Sequence, residues 1–544
     1  MEKEILNAES VNEETTTVEK VELLGENLEA LSSYKKFKFE ENPKYKSFIA
    51  KLDKFLYSDY YLLTIAAIIF IFWNIGYYAR LVEVAGLILI VLLASFVLVV
   101  KDDATHTIPI IFMVTALFPV EVNPASYGLA ILGIAPLPFA LVYHIAHYRR
   151  KFKINKFFYS QLAVSIALLF GGIGTIDGAG YKNGIVWVLL LGVAILAIYF
   201  IFSNYCKPKS EIDLKIYLAK IMFYASMLIM FEVFVFYMRK PNAIHDMNER
   251  VSIGWCIGNN FSTWLVLLMP GTCYLAVKSK LSWLYTLMFL GEYVAIILSL
   301  SRGGILFALI AAPFFIFSMI YFGKAYRKGV VIPLIAVFIV GIIVIGATWD
   351  KTIEFFSMVI NRSFTSDGHV KTSGRLELYT EAWNCFKANP IFGAGIGYFG
   401  KNYNGGTLGF YFFHSTLFQI IGCMGLVGLG AYIYNYVERF KIICRKDMFN
   451  IFILIGMLGF EGYAMIDTGT FVPMPSMIMV TLIVVVLELI NARKEREWKI
   501  DLDSNGNLVS VLPSDEEDVS AVYGRVVEDN EIKTNASKGE NKII

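Results

Sequence analysis

The 544-residue chain is 56% hydrophobic and only 17% charged, with a mean hydropathy of +0.58. Soluble chains carry about 25% charged residues, so a soluble multidomain enzyme and a disordered scaffold are both excluded. A formal net charge of +2 offers nothing to nucleic acid, and the six cysteines (206, 256, 273, 385, 423, 444) show no CxxC and no ligand spacing for a metal.

Residues 1–59 read as a cytoplasmic N-terminal tail, largely disordered, with nine Glu and two Lys in the first thirty positions. Within it, Tyr34–Lys54 is basic and aromatic, which suits either an anionic inner leaflet or ordinary flanking charge. The first apolar run starts too late for a cleaved signal peptide. Apolar runs long enough to cross a core of about 30 Å then recur. They predict 14 transmembrane helices, near 60–79, 82–100, 106–120, 126–147, 157–176, 184–204, 216–238, 255–277, 281–300, 304–322, 329–348, 413–437, 450–467 and 473–491. A polar, acidic stretch, 492–544, reads as a disordered cytoplasmic tail. The fold class is therefore an all-α polytopic membrane protein, with a membrane domain over 60–491.

Charge sorts the loops. One alternate set carries Arg149, Arg150, Lys151, Lys153 and Lys156, then Lys207, Lys209 and Lys215, then Lys324, Arg327 and Lys328. It continues with Arg439, Lys441, Arg445 and Lys446, then Arg493, Lys494 and Arg496. The opposite short loops hold little beyond Arg80, Lys182 and Arg302. The positive-inside rule then puts both termini in the cytoplasm of a cell bounded by this inner membrane.

One large extracytoplasmic loop, 349–412, breaks the pattern of short connections, and loops of that length are usually functional. Leu376, Tyr379, Trp383 and Phe386 recur at helical spacing within it, so the loop contains a helix, with Ser373 as N-cap and Pro390 as stop. The glycine-rich Gly393-Ala394-Gly395-Ile396-Gly397 that follows has no strand before it, so it reads as a tight turn and not as a nucleotide loop. Cys256 and Cys385 both fall outside, where a disulfide is one option.

Three side chains in this outer region have chemical promise. Arg375 sits in the first turn of the loop helix, where free N–H groups already favour an anion; otherwise it pairs with Glu377 or Asp367. Arg302 lies in the Ser301-Arg302-Gly303-Gly304 turn between two apolar runs, at headgroup depth or simply snorkelling. His414 opens the next helix, and imidazole suits removal of a hydroxyl proton near neutral pH; a merely hydrogen-bonded interfacial histidine is the alternative. Arg239, Arg250 and Arg362 add to the same outer positive patch. No outer carboxylate pair has metal-binding spacing; the Asp501/Asp503 pair lies in the tail.

Across residues 250–435 the chain resembles the O-antigen ligase/polymerase-like family of bacterial membrane glycosyltransferases. The resemblance rests on Gly254-Trp255-Cys256-Ile257-Gly258-Asn259-Asn260, the 301–304 turn, Gly374-Arg375 with Trp383, Asn389-Pro390-Ile391-Phe392-Gly393, and His414 with Leu417, Gln419 and Gly425. It implies a helical membrane fold with one large outer loop. It also implies inverting, metal-independent transfer of a glycan from a polyprenyl diphosphate carrier to an acceptor hydroxyl, with no cofactor. By position, Arg302 and Arg375 would bind the diphosphate and His414 would act on the acceptor. Arg239, Arg250, Asn260 and Arg362 would be auxiliary substrate-binding positions. Ser415 and Cys423 depart from the residues frequent there, and weaken the acceptor side.

The resemblance leaves a polymerase and a ligase open, and the absence of a visible acceptor-specific domain favours the polymerase. Implied partners are the lipid-linked donor, a glycan or other hydroxyl acceptor, membrane lipid, and a flippase and chain-length regulator. A flippase for lipid-linked glycans is the reading from another class. It would need polar groups lining a route through the bilayer, and the intramembrane acids are few: Glu83, Glu232, Glu292 and Glu461.

Overall fold

A computed structural model describes residues 43–116, 135–175, 184–244, 251–253, 256–354, 357, 374–398, 411–467, 469, 474–497, 500–502 and 508–511. Arg250, His245, Arg362, His369 and Ser373 lie outside these residues. The chain divides into two compact units, Met1–Leu63 and Thr64–Ile544.

In the first unit, helix α1 (Pro43–Leu56) presents Lys44, Phe48, Lys51 and Phe55 on one exposed face. Helix α2 (Asp59–Gly76) begins here and continues into the second unit.

The second unit continues with α3 (Arg80–Val100), α4 (Ile108–Ala116), α5 (Pro136–His147), α6 (Lys156–Phe170) and α7 (Gly184–Tyr205). Then come α8 (Leu214–Arg239), α9 (Gly258–Lys278), α10 (Ser282–Leu298), α11 (Arg302–Phe322) and α12 (Arg327–Ala347). The last are α13 (Arg375–Ala388), α14 (Thr416–Ile443), α15 (Met448–Ala464) and α16 (Met474–Glu497). Among the described residues, nine helices are long and apolar enough to cross a membrane, and four apolar helices are shorter. Each predicted run overlaps a helix, because a backbone in hydrocarbon must satisfy its hydrogen bonds within its own segment. Strand pairs are minor: β1 (Ser252–Ile253) with β2 (Cys256–Ile257) leads into α9, and β3 (Ile500–Leu502) pairs with β4 (Leu508–Val511) within the stretch expected to be disordered.

Helix α9 is the centre of the bundle, with 94% of its apolar window buried, whereas α12 buries 11% of its own. Lipid tails are as apolar as leucine, so burial alone does not hold such helices together; close backbone approach and polar bridges do. Gly271 of α9 meets the backbone of α8 at Ala219, and Gly456 of α15 meets Pro270 of α9. Trp264 Nε1 donates to Ser476 Oγ at 2.8 Å, tying α9 to α16.

Arg439 corrects a reading from the sequence. Counted there among the loop cations, it lies inside α14 and is buried, with Nη1 2.7 Å from Glu461 Oε1. Its Nη2 donates to Asn435 Oδ1, and Tyr436 donates to the other oxygen of Glu461. Each charge is neutralised by the other, which explains why both are tolerated inside the bundle. Glu292, also buried, accepts from Ser226 and Thr272.

Helix α14 is interrupted at Gly425 (φ 60°, ψ −149°), a conformation closed to residues with a Cβ. The interruption would strand backbone groups, and the strap after α13 meets them: Leu426 N donates to Pro390 O at 2.9 Å and Val427 N to Ile391 O at 3.1 Å. In return, Ala394 N and Gly395 N donate to Gly422 O and Cys423 O. The glycine-rich run is thus a turn docked on a broken helix.

Candidate active site

The site forms where four segments meet at one end of the bundle: the N-termini of α11 and α13, the residues leading into α14, and the turn after α15. Gly374 caps α13 with φ 76°, in place of the expected Ser373, and Arg375 is the first helical residue. The Arg375 guanidinium reaches the turn after α15, where Nη1 donates to Ile466 O at 2.8 Å and Nη2 to Asp467 Oδ2 at 3.2 Å. Glu377, one partner considered from the sequence, does not supply these contacts, and the other, Asp367, lies outside the described residues.

Tyr379 lies one turn further along α13. It stacks on Phe418 with ring centroids 4.6 Å apart, and its hydroxyl donates to His414 O at 2.9 Å. Burial pushes this phenol above its usual range, with Arg375 opposing the rise and Asp467 adding to it. It therefore remains a donor at neutral pH.

His414 precedes α14, whose N-cap Ser415 accepts from Phe418 N. Its backbone has φ 51°; Leu300, two residues before Arg302, has φ 53°. Among the described residues these are the two non-glycine positions with positive φ, and such conformations persist only where surrounding contacts impose them. At His414 those contacts are Tyr379 on its carbonyl and Asp467, whose carbonyl accepts from Thr416 N at 3.1 Å.

Asp467 is the residue that sequence reasoning missed. Its Oδ1 lies 3.2 Å from His414 Nδ1. Its Oδ2 accepts from Arg375, from Tyr463 at 3.1 Å and from Asn259 Nδ2 at 3.5 Å. The carboxylate is 10% exposed and the imidazole 39% exposed. A histidine that donates Nδ1–H to a carboxylate carries its lone pair on Nε2, the form required of a base. Asp467 closes the 450–467 apolar run, and its position at the same end as His414 is the signal that could have found it.

Arg302 opens α11, where Ser301 caps the helix by accepting from Gly304 N at 3.2 Å. Gly303 packs against the Tyr463 ring and Ile466, so a Cβ there would collide with the ring. The Arg302 turn is thus attached to the same end of α15 that carries Asp467. The N-termini of α11 and α13 each begin with an arginine, and the free N–H groups of a helix start add to its pull on an anion.

Other expected positions have different partners. Arg239 Nη2 donates to Asn74 Oδ1 at 2.7 Å, and its guanidinium lies 4.5 Å from the Tyr77 ring centroid; Asn74 also donates to Glu232. Asn259, not its neighbour Asn260, reaches Asp467. Cys385 is buried, and the side chain of Cys256, considered as its disulfide partner, lies outside the described residues.

Farther out, Glu381 of α13 accepts from Tyr398 at 2.9 Å and from Tyr411 at 2.6 Å. Tyr398 and Tyr411 both pack on Phe413, next to the histidine.

No curated protein matches the chain. Residues 285–433 match a family model described as O-Antigen ligase. Arg302, Arg375 and His414 fall inside that stretch, while Asn259, Tyr463 and Asp467 are brought to it by the fold. The chain is a multi-pass membrane protein, and within it residues 285–433 are similar to the O-Antigen ligase family.

Proposed function

We propose that the protein is a polysaccharide polymerase, transferring a glycan from a polyprenyl diphosphate carrier to an acceptor sugar hydroxyl at the outer face of the cytoplasmic membrane. The observation that carries this reading is the His414–Asp467–Arg375 constellation, with the Arg302 turn attached to it through α15. Lysine-rich loops toward the opposite end of the bundle support the outward orientation.

In the proposed reaction His414 Nε2 removes the proton of the acceptor hydroxyl while Asp467 steadies the imidazolium that forms. The acceptor oxygen attacks the anomeric carbon from the face opposite the leaving group, so the configuration inverts. The bond from that carbon to the diphosphate oxygen breaks, and its electron pair departs with the diphosphate. Negative charge grows there as it leaves, and in this reading Arg302 and Arg375, at two helix N-termini, stabilise it. Breaking the glycosyl–diphosphate bond supplies the driving force. Arg239, Arg250, Asn260 and Arg362 are assigned at most auxiliary contacts with substrate.

The description of the matching family model favours a second reading, a ligase that joins finished glycan to a lipid, wall polymer or protein. The chemistry is shared and the acceptor differs. A ladder of repeat units from lipid-linked oligosaccharide alone identifies the polymerase, and a single transfer to an added acceptor identifies the ligase. The flippase loses support, because Glu232 and Glu461 are occupied by Asn74 and by Arg439.

The decisive assay uses purified full-length protein reconstituted with a polyprenyl-diphosphate glycan. His414→Ala is expected to abolish transfer while the protein remains inserted. Product at the wild-type rate from that variant overturns the base assignment.

A further inference from the structure

We propose that Tyr463 is a positioning residue which ties the Arg302 turn to Asp467, and through it to His414, so that donor and acceptor recognition stay in register. The inference rests on the reading of Arg302, Asp467 and His414 given above.

The argument starts from the hydroxyl's single proton. Tyr463 O–H donates it to Asp467 Oδ2 at 3.1 Å. The side chains of Tyr463 and Ser301 are also hydrogen-bonded, so in that bond the serine must be the donor. Ser301 Oγ in turn accepts from Gly304 N at 3.2 Å. The result is a directed relay: Gly304 N–H to Ser301, Ser301 to Tyr463, Tyr463 to Asp467. Every donor points toward the carboxylate, an order in which each bond polarises the next.

The relay has two consequences. Oδ2 of Asp467 is filled by Arg375, Tyr463 and Asn259, which fixes the carboxylate plane and leaves Oδ1 to His414. The ring of Tyr463 also serves as a stop for the Arg302 turn, since Gly303 lies flat against it with Ile466 Cδ1 3.1 Å from where a Cβ would stand. The turn cannot shift without displacing the tyrosine, and the tyrosine cannot shift without releasing the aspartate. Tyr463 is 3% exposed and Ser301 is equally buried, so neither touches substrate and both act through their neighbours.

Tyr463→Phe keeps the ring and removes the relay. In the full-length reconstituted protein, kcat is expected to fall about 10-fold, the loss of one hydrogen bond to a charged group, with KM for the lipid-linked donor within about twofold. Thermal stability should hold, because the packing ring remains. Ser301→Ala should reproduce the kcat effect, and the double variant should be no slower than Tyr463→Phe alone, since both break one chain. Wild-type kcat in Tyr463→Phe overturns the proposal, as does a loss confined to donor KM or two effects that multiply in the double variant. Should Tyr463→Phe fail to fold, Ser301→Ala alone decides, its kcat falling or not. His414→Ala in the same membranes separates the two levels: activity there defeats the underlying reading, whereas an inactive His414→Ala beside a normal Tyr463→Phe defeats only the relay.

Discussion

Asp467 Oδ1 stands 3.2 Å from His414 Nδ1 although 53 residues separate them along the chain. The contact selects one tautomer of the imidazole, with the lone pair on Nε2. Asp467→Asn preserves shape and several of the hydrogen bonds but favours the wrong tautomer. It is expected to lower kcat by at least about 100-fold, with a much smaller change in donor KM. Single-turnover transfer from a lipid-linked donor reads both, and a variant within a few-fold of wild type removes Asp467 from the mechanism.

The two helix-start arginines should separate from the histidine by kinetic signature. Lysine retains the charge of Arg302 or Arg375 but loses the planar fork that grips two oxygens. Arg302→Lys and Arg375→Lys are each expected to raise donor KM by about 10-fold. Arg375→Lys should also lower kcat, because Arg375 holds Asp467. Binding of a fluorescent polyprenyl diphosphate checks the donor half; unchanged affinity in both variants contradicts the assignment.

The buried Arg439–Glu461 pair makes a prediction about stability with no bearing on chemistry. Both side chains are 7% exposed, so removing one leaves the other charge uncompensated. Arg439→Met or Glu461→Leu should each cost about 3–5 kcal/mol, while the double replacement recovers most of it. Thermal unfolding in detergent distinguishes this from a pair whose members act independently, for which the two losses add.

The two tyrosines bonded to Glu381 predict an alkaline limit. Burial, above all, holds the Tyr398 phenol above its usual range, with nearby Cys385 next in weight; burial leads for Tyr411 too, followed by its bond to Glu381. The folded pKa exceeds the unfolded one, so this stabilisation is complete below about pH 10 and is lost as pH rises beyond it. Proteolytic cleavage near residues 391–398 should therefore increase steeply above about pH 10. Tyr398→Phe/Tyr411→Phe should lack that step. An equal rise in the double variant removes the Glu381 contacts as its cause.

Sequence and structure agree where the information is local. A run of apolar residues must be helical in lipid whatever its neighbours are, so every run from 60–79 to 473–491 meets a helix, and the stripe Leu376–Phe386 does too. The positions of Arg302, Arg375 and His414 beside helix starts were legible because capping and turn signals are local. Asp467 was not, because hydropathy absorbs one acid at the end of an apolar run and its meaning comes from a partner 53 residues away. Arg439 was misplaced for the same reason: a cation looks like a loop residue until Glu461 is seen beside it.

The interruption of α14 at Gly425 gives the molecule a natural seam. Residues 416–424 are continuous in sequence with the rest of α14, yet the carbonyls of Gly422 and Cys423 are bonded to the strap after α13. Mechanically this segment belongs with α13 and its strap, and the remainder of α14 belongs to the bundle. A hybrid protein spliced at residue 425 would keep His414 with the α13 tyrosine that holds its backbone, provided the graft also brings the end of α15 that carries Asp467.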